Sequence, residues 1–201
     1  MRSLFILFAI LFSGTAFRTE RPVLVHRFIV LPSSKLVILG KTNVNSFQCA
    51  TQYCGRDTLV LREGGANNQP FFEKGKVGLD AAAFDCGMAM MTRDFNQTIK
   101  AKTYPSIEIN FISFERSPVL GCGEDQFKGR IKIALAGVAR TFDVDCSIEA
   151  KSNGNIYLNG ARKFQFGDFN LKAPSHMLGA IKVEETLEVR FNLVLRLDEN
   201  C

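Results

Sequence analysis

Few side chains in this sequence could act on a substrate. It holds two histidines, His26 and His176, six cysteines and no tryptophan. His26 stands in a Val-His-Arg context that suits a surface strand. His176 stands beside Ser175 in a Pro-Ser-His-Met loop, and adjacency in sequence carries no triad geometry. A general base, if the chain used one, would be His176. The sequence has no G-x-S-x-G, no H-E-x-x-H and no P-loop, so no catalytic residue is assigned. The cysteines lie at 49, 54, 86, 122, 146 and 201. They contain no C-x-x-C and no nearby histidine pair, which excludes zinc-site spacing and leaves no metal site to assign. An even count suits disulfides or buried thiols, with the pairing left open. What the chain has in quantity is ring hydrocarbon: 18 Phe against 3 Tyr and no Trp. Such rings build apolar walls with no polar edge that must find a partner.

Composition and charge narrow the class. The chain has 201 residues, 46% of them hydrophobic and 22% charged, a globular balance that excludes wholesale disorder. Its net charge of +5 is mild, and the bases alternate with acids along strands as solvated faces do. That pattern argues against a nucleic-acid partner. The N-terminus reads as an address. Arg2 precedes the unbroken apolar run Leu4 to Phe12, and Gly14-Thr15-Ala16 places small residues at a cleavage site. Residues 1–16 are expected to be a secretory leader, too short to span a bilayer, and no cysteine follows the cut to take a lipid. Residues 17–201 are expected to form a single domain, periplasmic or secreted. Export places the cysteines in an oxidising compartment. Stable membrane insertion is not expected; transient membrane contact and a homodimer are left open.

The elements that must position these residues are mostly strands. Val183, Leu187, Val189, Phe191, Leu193, Leu195 and Leu197 fall on odd positions. The even positions between them are polar except Val194, and Glu185 alone breaks the odd row. This period of two gives one dry and one wet face. A long half-wet strand favours an antiparallel sheet that curls on itself. The alternation recurs at Ile131 to Leu135, at Phe142 to Ile148, and at Ile156, Leu158, Gly160, Phe164 and Phe166. Ala136 to Ala139 and Asn153-Gly154 read as hairpin turns. Further strands are expected from Ile107, over Lys35 to Gly40 and over Lys76 to Phe84, where Gly78 suggests a bulge. Seven or eight strands fit, with Gly64 to Pro70 as a loop. One segment is helical: Met91, Phe95 and Ile99 are four apart. The helix is expected over about 92–102, with Thr92 as N-cap, Asp94 in the first turn, Lys100 and Lys102 in the last, and Tyr104-Pro105 beyond it.

Several motifs then line up. Ser34-x-Leu36-x-Ile38-x-Gly40-x-Thr42-Asn43-Val44-x-x-Phe47-x-Cys49 resembles the opening motif of the YceI-like family of polyisoprenoid-binding, lipocalin-like barrels. Cys86-Gly87, Met91-x-x-Asp94-Phe95 and Lys102-x-Tyr104-Pro105-x-Ile107 resemble that family's helix and the strand after it. Gly137-Val138-x-Arg140 resembles its hairpin, and Asp168-Phe169, Pro174, Gly179 and Ile181-x-Val183 its C-terminal stretch. The resemblance spans about 30–197. Ala139 departs from the family's Thr, and six cysteines exceed what many members carry, so no pairing is carried over.

The resemblance implies a mainly β, eight-stranded antiparallel lipocalin-like barrel with one short helix and an elongated apolar interior. It implies an exported, non-catalytic binder of a long isoprenoid or similar amphiphile, a quinone or fatty-acyl compound among the candidates. No cofactor is otherwise expected. The residues placed in the apolar pocket are Phe47, Phe84, Met88, Met91, Phe95, Ile109, Phe111, Phe164, Phe166 and Phe169. Each of these also suits plain core. Gly160 and Ala81-Ala82-Ala83 are small residues that could leave room for a guest, and Phe169 suits a barrel mouth. Asp168 reads as a turn-forming residue. Two other readings stand beside the binder: a structural or interaction barrel filled by its own side chains, and an enzyme using the pocket.

Overall fold

The computed structural model describes residues 22–64, 69–121, 123–176 and 180–198. The leader expected at 1–16, Cys122, Cys201, Gly179 and the middle of the Gly64 to Pro70 loop lie outside these. Thirteen strands form among the described residues: β1 (Leu24–Val30), β2 (Lys35–Lys41), β3 (Ser46–Gln52), β4 (Thr58–Glu63), β5 (Phe71–Lys74), β6 (Lys76–Asp80), β7 (Ser106–Phe114), β8 (Glu124–Leu135), β9 (Val138–Ala150), β10 (Asn155–Gln165), β11 (Ser175–His176), β12 (Ile181–Lys182) and β13 (Thr186–Leu197).

Several of these are halves of longer strands. β1 and β2 follow one line, and β3 and β4 return beside it in one register, with Leu24 opposite Glu63 and Lys35 opposite Gln52. β5 and β6 form a third bent strand along β7. Counted this way, eight strands close into an antiparallel barrel. β13 closes it, pairing with β10 on one edge and with both β2 and β1 on the other. The step between β1 and β2 is pinned by Ser34, which is fully buried. Its hydroxyl accepts the Val194 N–H at 2.8 Å, and its carbonyl accepts the Tyr53 N–H at 2.8 Å.

The two expected tight turns are present. Ala136 and Gly137 both take left-handed backbone, φ 52° and 81°, the conformation of a two-residue type I′ hairpin. Gly154 has φ 79°, and the Asn153 side chain accepts the Asn155 N–H at 3.0 Å. The Ala136–Gly137 turn, the β2–β3 turn and the single helix lie at one end of the barrel, here called upper. The Asn153–Gly154 turn lies at the lower end.

Four boundaries differ from expectation. The helix, α1, spans Ala89–Thr98 rather than 92–102. Thr92 is not its cap; the Thr92 hydroxyl accepts the Cys86 N–H at 3.0 Å, which fixes the chain entering the helix. Lys100 takes left-handed backbone, φ 57°, and ends it, so Lys100 and Lys102 fall beyond its last turn. The inward stripe holds: Ile99 is buried, and Met91 and Phe95 pack on the core. The strand expected to run to Phe84 stops at Asp80, whose carboxylate accepts the Ala82 N–H at 2.8 Å and caps a 3-10 turn over Ala81–Ala83. β10 stops before Phe166. The Asp168 carboxylate accepts the Gln165 N–H at 2.8 Å and the Gln165 side chain answers to the Asp168 N–H, a capping box that opens a second 3-10 turn, Phe166–Phe169. The last strand begins at Thr186 rather than Val183, past the Glu185 that breaks its alternation.

The lower half of the barrel is solid. Phe114 packs edge-on to Phe72 and Phe127, ring centroids 5.0 and 4.6 Å apart, and Phe111 packs edge-on to Phe191 at 5.6 Å. The space that Gly160 was expected to free is taken: the Phe191 ring lies directly over it, where a Cβ would stand. Of the three alanines, only Ala81 is buried. Among the described residues the interior cavities lie above Phe191, with about 10 Å³ left beneath it.

Gly160→Ala is expected to push Phe191 aside and cost about 1–3 kcal/mol, most of it recovered by adding Phe191→Leu; denaturant unfolding of the single and double variants checks this. A pH effect follows from two buried acids. Burial pushes the Cys146 thiol up to about 12 and the Tyr53 hydroxyl up to about 12, from 9.0 and 10.0 in the unfolded chain. The unfolded chain sheds these protons first, so their stabilisation is complete below a pH of 9.0 and is lost progressively towards 12. Denaturant midpoints measured through that range are expected to fall, and Cys146→Ala to flatten the first part of the slope.

Candidate apolar binding site

Above Phe191 the inward rows of the barrel leave two adjoining cavities. The inner one has a volume of about 100 Å³. Its walls are Leu36 and Ile38 of β2, Ile107 and Ile109 of β7, Ile131 and Ile133 of β8, and Leu187, Val189 and Phe191 of β13. Phe84, Phe95, Ile99, Phe166 and Phe169 roof it. The outer cavity, about 200 Å³, lies between the β2–β3 turn, α1 and the side chains of Pro174, Ile181 and Val183. Val44, Phe47, Met88, Met90 and Met91 line it, and Val44, Met88 and Met90 are more than half exposed at its rim. Ile38, Phe95, Phe166 and Leu187 line both cavities, so the two meet at this partition.

The ten residues read from the sequence fall in three places. Phe84, Ile109, Phe164 and Phe169 line the inner cavity, Phe47, Met88 and Met91 the outer, and Phe95 and Phe166 both. Phe111 stands apart, in the nearly filled space beneath Phe191. Phe84 and Phe166 were expected on alternating strand positions; instead Phe84 follows the Ala81–Ala83 3-10 turn and Phe166 opens the Phe166–Phe169 one. Phe169 sits in the upper-end turn, buried under Phe142 and Phe164 at centroid distances of 5.8 and 6.2 Å.

Arg162, in the inner wall, is among the lining residues that were not read from the sequence. It continues the row Ile156, Leu158, Gly160 that Phe164 takes up again, so the alternation already turned it inward. Its guanidinium stacks 5.1 Å from the Phe142 ring and 5.8 Å from the Phe164 ring. Gln165 is the other polar side chain of that wall. The expected turn role of Asp168 is present as the capping box. His26 lies on β1, 3.6 Å from Glu63. Among the described residues no group of three or more His, Cys, Asp or Glu side chains could hold a metal ion.

The roof is tied to the barrel at one edge. Among the described residues β3 has only the Ala50–Asp85 bridge beside it on the side away from β2. There the Cys49–Cys86 disulfide crosses to the segment leading into α1, and a two-way Ala50–Asp85 bridge, 2.8 and 2.9 Å, runs beside it. Asn43 holds the other flank: its side chain donates to the Ala180 carbonyl and accepts the Lys182 N–H, each at 2.9 Å. Cys54 is an exposed thiol and Cys146 a buried one.

No protein-family model matches the sequence, and no curated protein matches it. Solved structures do match. A Saccharophagus degradans domain, described as polyisoprenoid binding and implicated in plant cell wall breakdown, superposes with a TM-score of 0.61 at 13% identity, covering 85% of this chain and 98% of that one. Burkholderia cenocepacia BcnA superposes with a TM-score of 0.58 at 19% identity, covering 80% and 95%. A Campylobacter jejuni YceI protein matches at 17% identity over 64% of this chain and 74% of that one, TM-score 0.47. The first two share this chain's fold over nearly their whole length. The YceI-like resemblance of the motifs is borne out at the level of the fold.

Removing the disulfide tests how the roof is held. It closes a separation of 37 residues, so Cys86→Ser is expected to cost about 4 kcal/mol by chain entropy. Chemical denaturation of the oxidised protein and the variant measures the difference.

Proposed function

We propose that the protein sequesters the apolar chain of an isoprenoid or similar amphiphile, such as a quinone or fatty-acyl compound, in its two upper cavities, and that it breaks no bond in doing so. One observation carries this reading: a closed barrel whose upper half is hollow and hydrocarbon-lined while its lower half is packed solid. A barrel that only needed a core would fill both halves. The inner lining offers a single guanidinium and a single amide among eighteen apolar side chains. Burying a guest's methylenes there is worth about 25 cal/mol per Å². The fold-sharing domain from Saccharophagus degradans, described as polyisoprenoid binding, supports the same use of this architecture.

The size of the space sets how the guest must sit. At about 100 Å³ the inner cavity takes only a short stretch of chain; a cavity of roughly 150 Å³ holds a benzene. A longer tail would pass between Phe95 and Phe166 and lie along the methionines of the outer cavity. Three unbranched, polarizable side chains there suit guests of irregular shape. The exposed Val44, Met88 and Met90 would face a membrane during transient loading. Among the described residues no helix is long and apolar enough to cross one. Export to the periplasm or beyond fits the leader expected at 1–16, and the Cys49–Cys86 disulfide supports an oxidising compartment.

The filled lower half favours a second reading, a self-packed barrel acting as an interaction module. Extraction distinguishes the two. Natively purified protein, extracted with organic solvent and analysed by mass spectrometry, is expected to release an apolar compound in near-stoichiometric amount. An empty extract, together with no binding of added polyprenyl or fatty-acyl probes, overturns the carrier reading and leaves the module.

A further inference from the structure

The bore of the barrel is blocked at one level. In the ring of strands β7 and β13 stand opposite each other, with β8, β9 and β10 between them on one side. Phe191 of β13 and Phe111 of β7 meet across the middle, edge-on, with centroids 5.6 Å apart. Phe191 is the floor of the inner cavity and the ceiling of the space of about 10 Å³ beneath. Its ring is held on both sides. On one it occupies the place where a Gly160 Cβ would stand. On the other a column of rings backs it: Phe111 on Phe72 at 5.6 Å, Phe72 on Phe114 at 5.0 Å and Phe114 on Phe127 at 4.6 Å. Phe111, Phe114 and Phe127 are buried. Lowering the floor would disturb the whole column, which a close-packed core resists. The opposite end of the inner cavity is bounded by Phe95 and Phe166, on α1 and a 3-10 turn.

The accessible lining of the inner cavity is almost wholly apolar. Arg162 turns its Nη1 to the Asp143 carbonyl and its Nε is covered. Polar side chains stand instead along the outer cavity: Thr42, Asn45, Asp94 and Thr98. A chain entering from the rim therefore leads with its hydrocarbon end and halts at a fixed wall. We infer that Phe191 is a length stop, and that the site selects a guest by the length of its chain. Roughly 150 Å³ holds a six-carbon benzene. On that scale the inner cavity, about 100 Å³, takes about four carbons and the outer, about 200 Å³, about eight. A chain of about twelve carbons fills both; further carbons pass the rim and gain no burial. The inference rests on the sequestration reading and adds the length of chain that the site accepts and the residue that sets it.

Unbranched primary alcohols from hexanol to octadecanol, competed against an apolar fluorescent probe on the full chain, test it. Affinity is expected to rise about fourfold with each added carbon, as far as about dodecanol, and then to level off. Phe191→Ala removes a ring the size of a benzene, and the void it leaves collapses in part, so the levelling-off is expected to move up by about four carbons. Should that variant fail to fold, Phe191→Val is expected to move it by about two. A variant that lost only stability would weaken every alcohol alike and leave the levelling-off in place, and a limit set by the solubility of the alcohols would stand at one length in every variant. A levelling-off that does not move therefore overturns the stop and leaves sequestration standing. A wild-type affinity that keeps rising to octadecanol does the same. Binding of neither the probe nor any alcohol overturns both readings.

Discussion

The structure depends on β13 having three partners. One edge of this twelve-residue strand is paired along its length with β10. The other edge is divided between β2 and β1. That division is what turns a long sheet into a ring, and it requires a step in the chain between Val30 and Lys35. A step in a buried ladder would strand backbone groups. Ser34 prevents this: it is buried, its hydroxyl takes the Val194 N–H, and the Leu31 N–H reaches the Val194 carbonyl at 2.8 Å. The inward row of β13 then sorts the interior. Leu187, Val189 and Phe191 face the cavity, while Leu193 and Leu195 face the packed half. The boundary between hollow and solid is Phe191, and it can lie across the barrel only because its neighbour Gly160 has no side chain.

At the upper end the ladder is interrupted twice, and side chains take over from the missing strand pairs. Beside β3 the chain crosses by a disulfide and one bridge. Between β9 and β10, Arg162 reaches the Asp143 carbonyl and Arg140 Nε donates to the Asp168 carbonyl at 2.7 Å. The Asp57 carboxylate does similar work where β4 and β6 separate, accepting the Gly78 N–H at 3.0 Å. Each of these hydrogen bonds satisfies a backbone group that regular pairing leaves over. The cavities lie where such contacts replace the ladder, because a fully paired barrel of eight strands has an interior its own side chains can fill.

The barrel was legible in the sequence because its strands have one wet face. The row along β13 and the Ala136–Gly137 and Asn153–Gly154 turns were all readable from alternation and turn chemistry. Boundaries were less legible, since they were decided by side chains acting at a distance in the chain. Thr92 looked like a cap and instead holds the Cys86 N–H; Asp80 and Asp168 ended strands by capping 3-10 turns that alternation does not register. Arg162 was missed although its position was legible, because a charge on an inward row reads as an exception until the space it faces is known. Gly160 was misread for the opposite reason: a small residue signals close approach of something, and only the fold shows that the Phe191 ring is what approaches. The motif residues that carried the family resemblance include pins of the fold: Ser34 at the step between β1 and β2, and Asn43, Arg140 and Asp168 at the upper end.

The partition between the cavities is built from the parts of the molecule least bound into the ladder. Phe95 belongs to α1 and Phe166 to a 3-10 turn, and neither element pairs with the sheet along its length. Phe95 is supported by Phe84, ring centroids 5.1 Å apart, which itself follows the Ala81–Ala83 turn. Displacing these rings costs local side-chain contacts and no strand pair, so it draws on the low end of the protein's range of opening free energies. The Cys49–Cys86 link lies just before α1 and fixes the root of the helix, while Met91, Phe95 and Ile99 pack its inward face on the core. A guest chain that separated Phe95 from Phe166 would replace one set of apolar contacts by another of similar area. With such a guest, as proposed above, the barrel would stay closed while its roof exchanged one hydrocarbon contact for another.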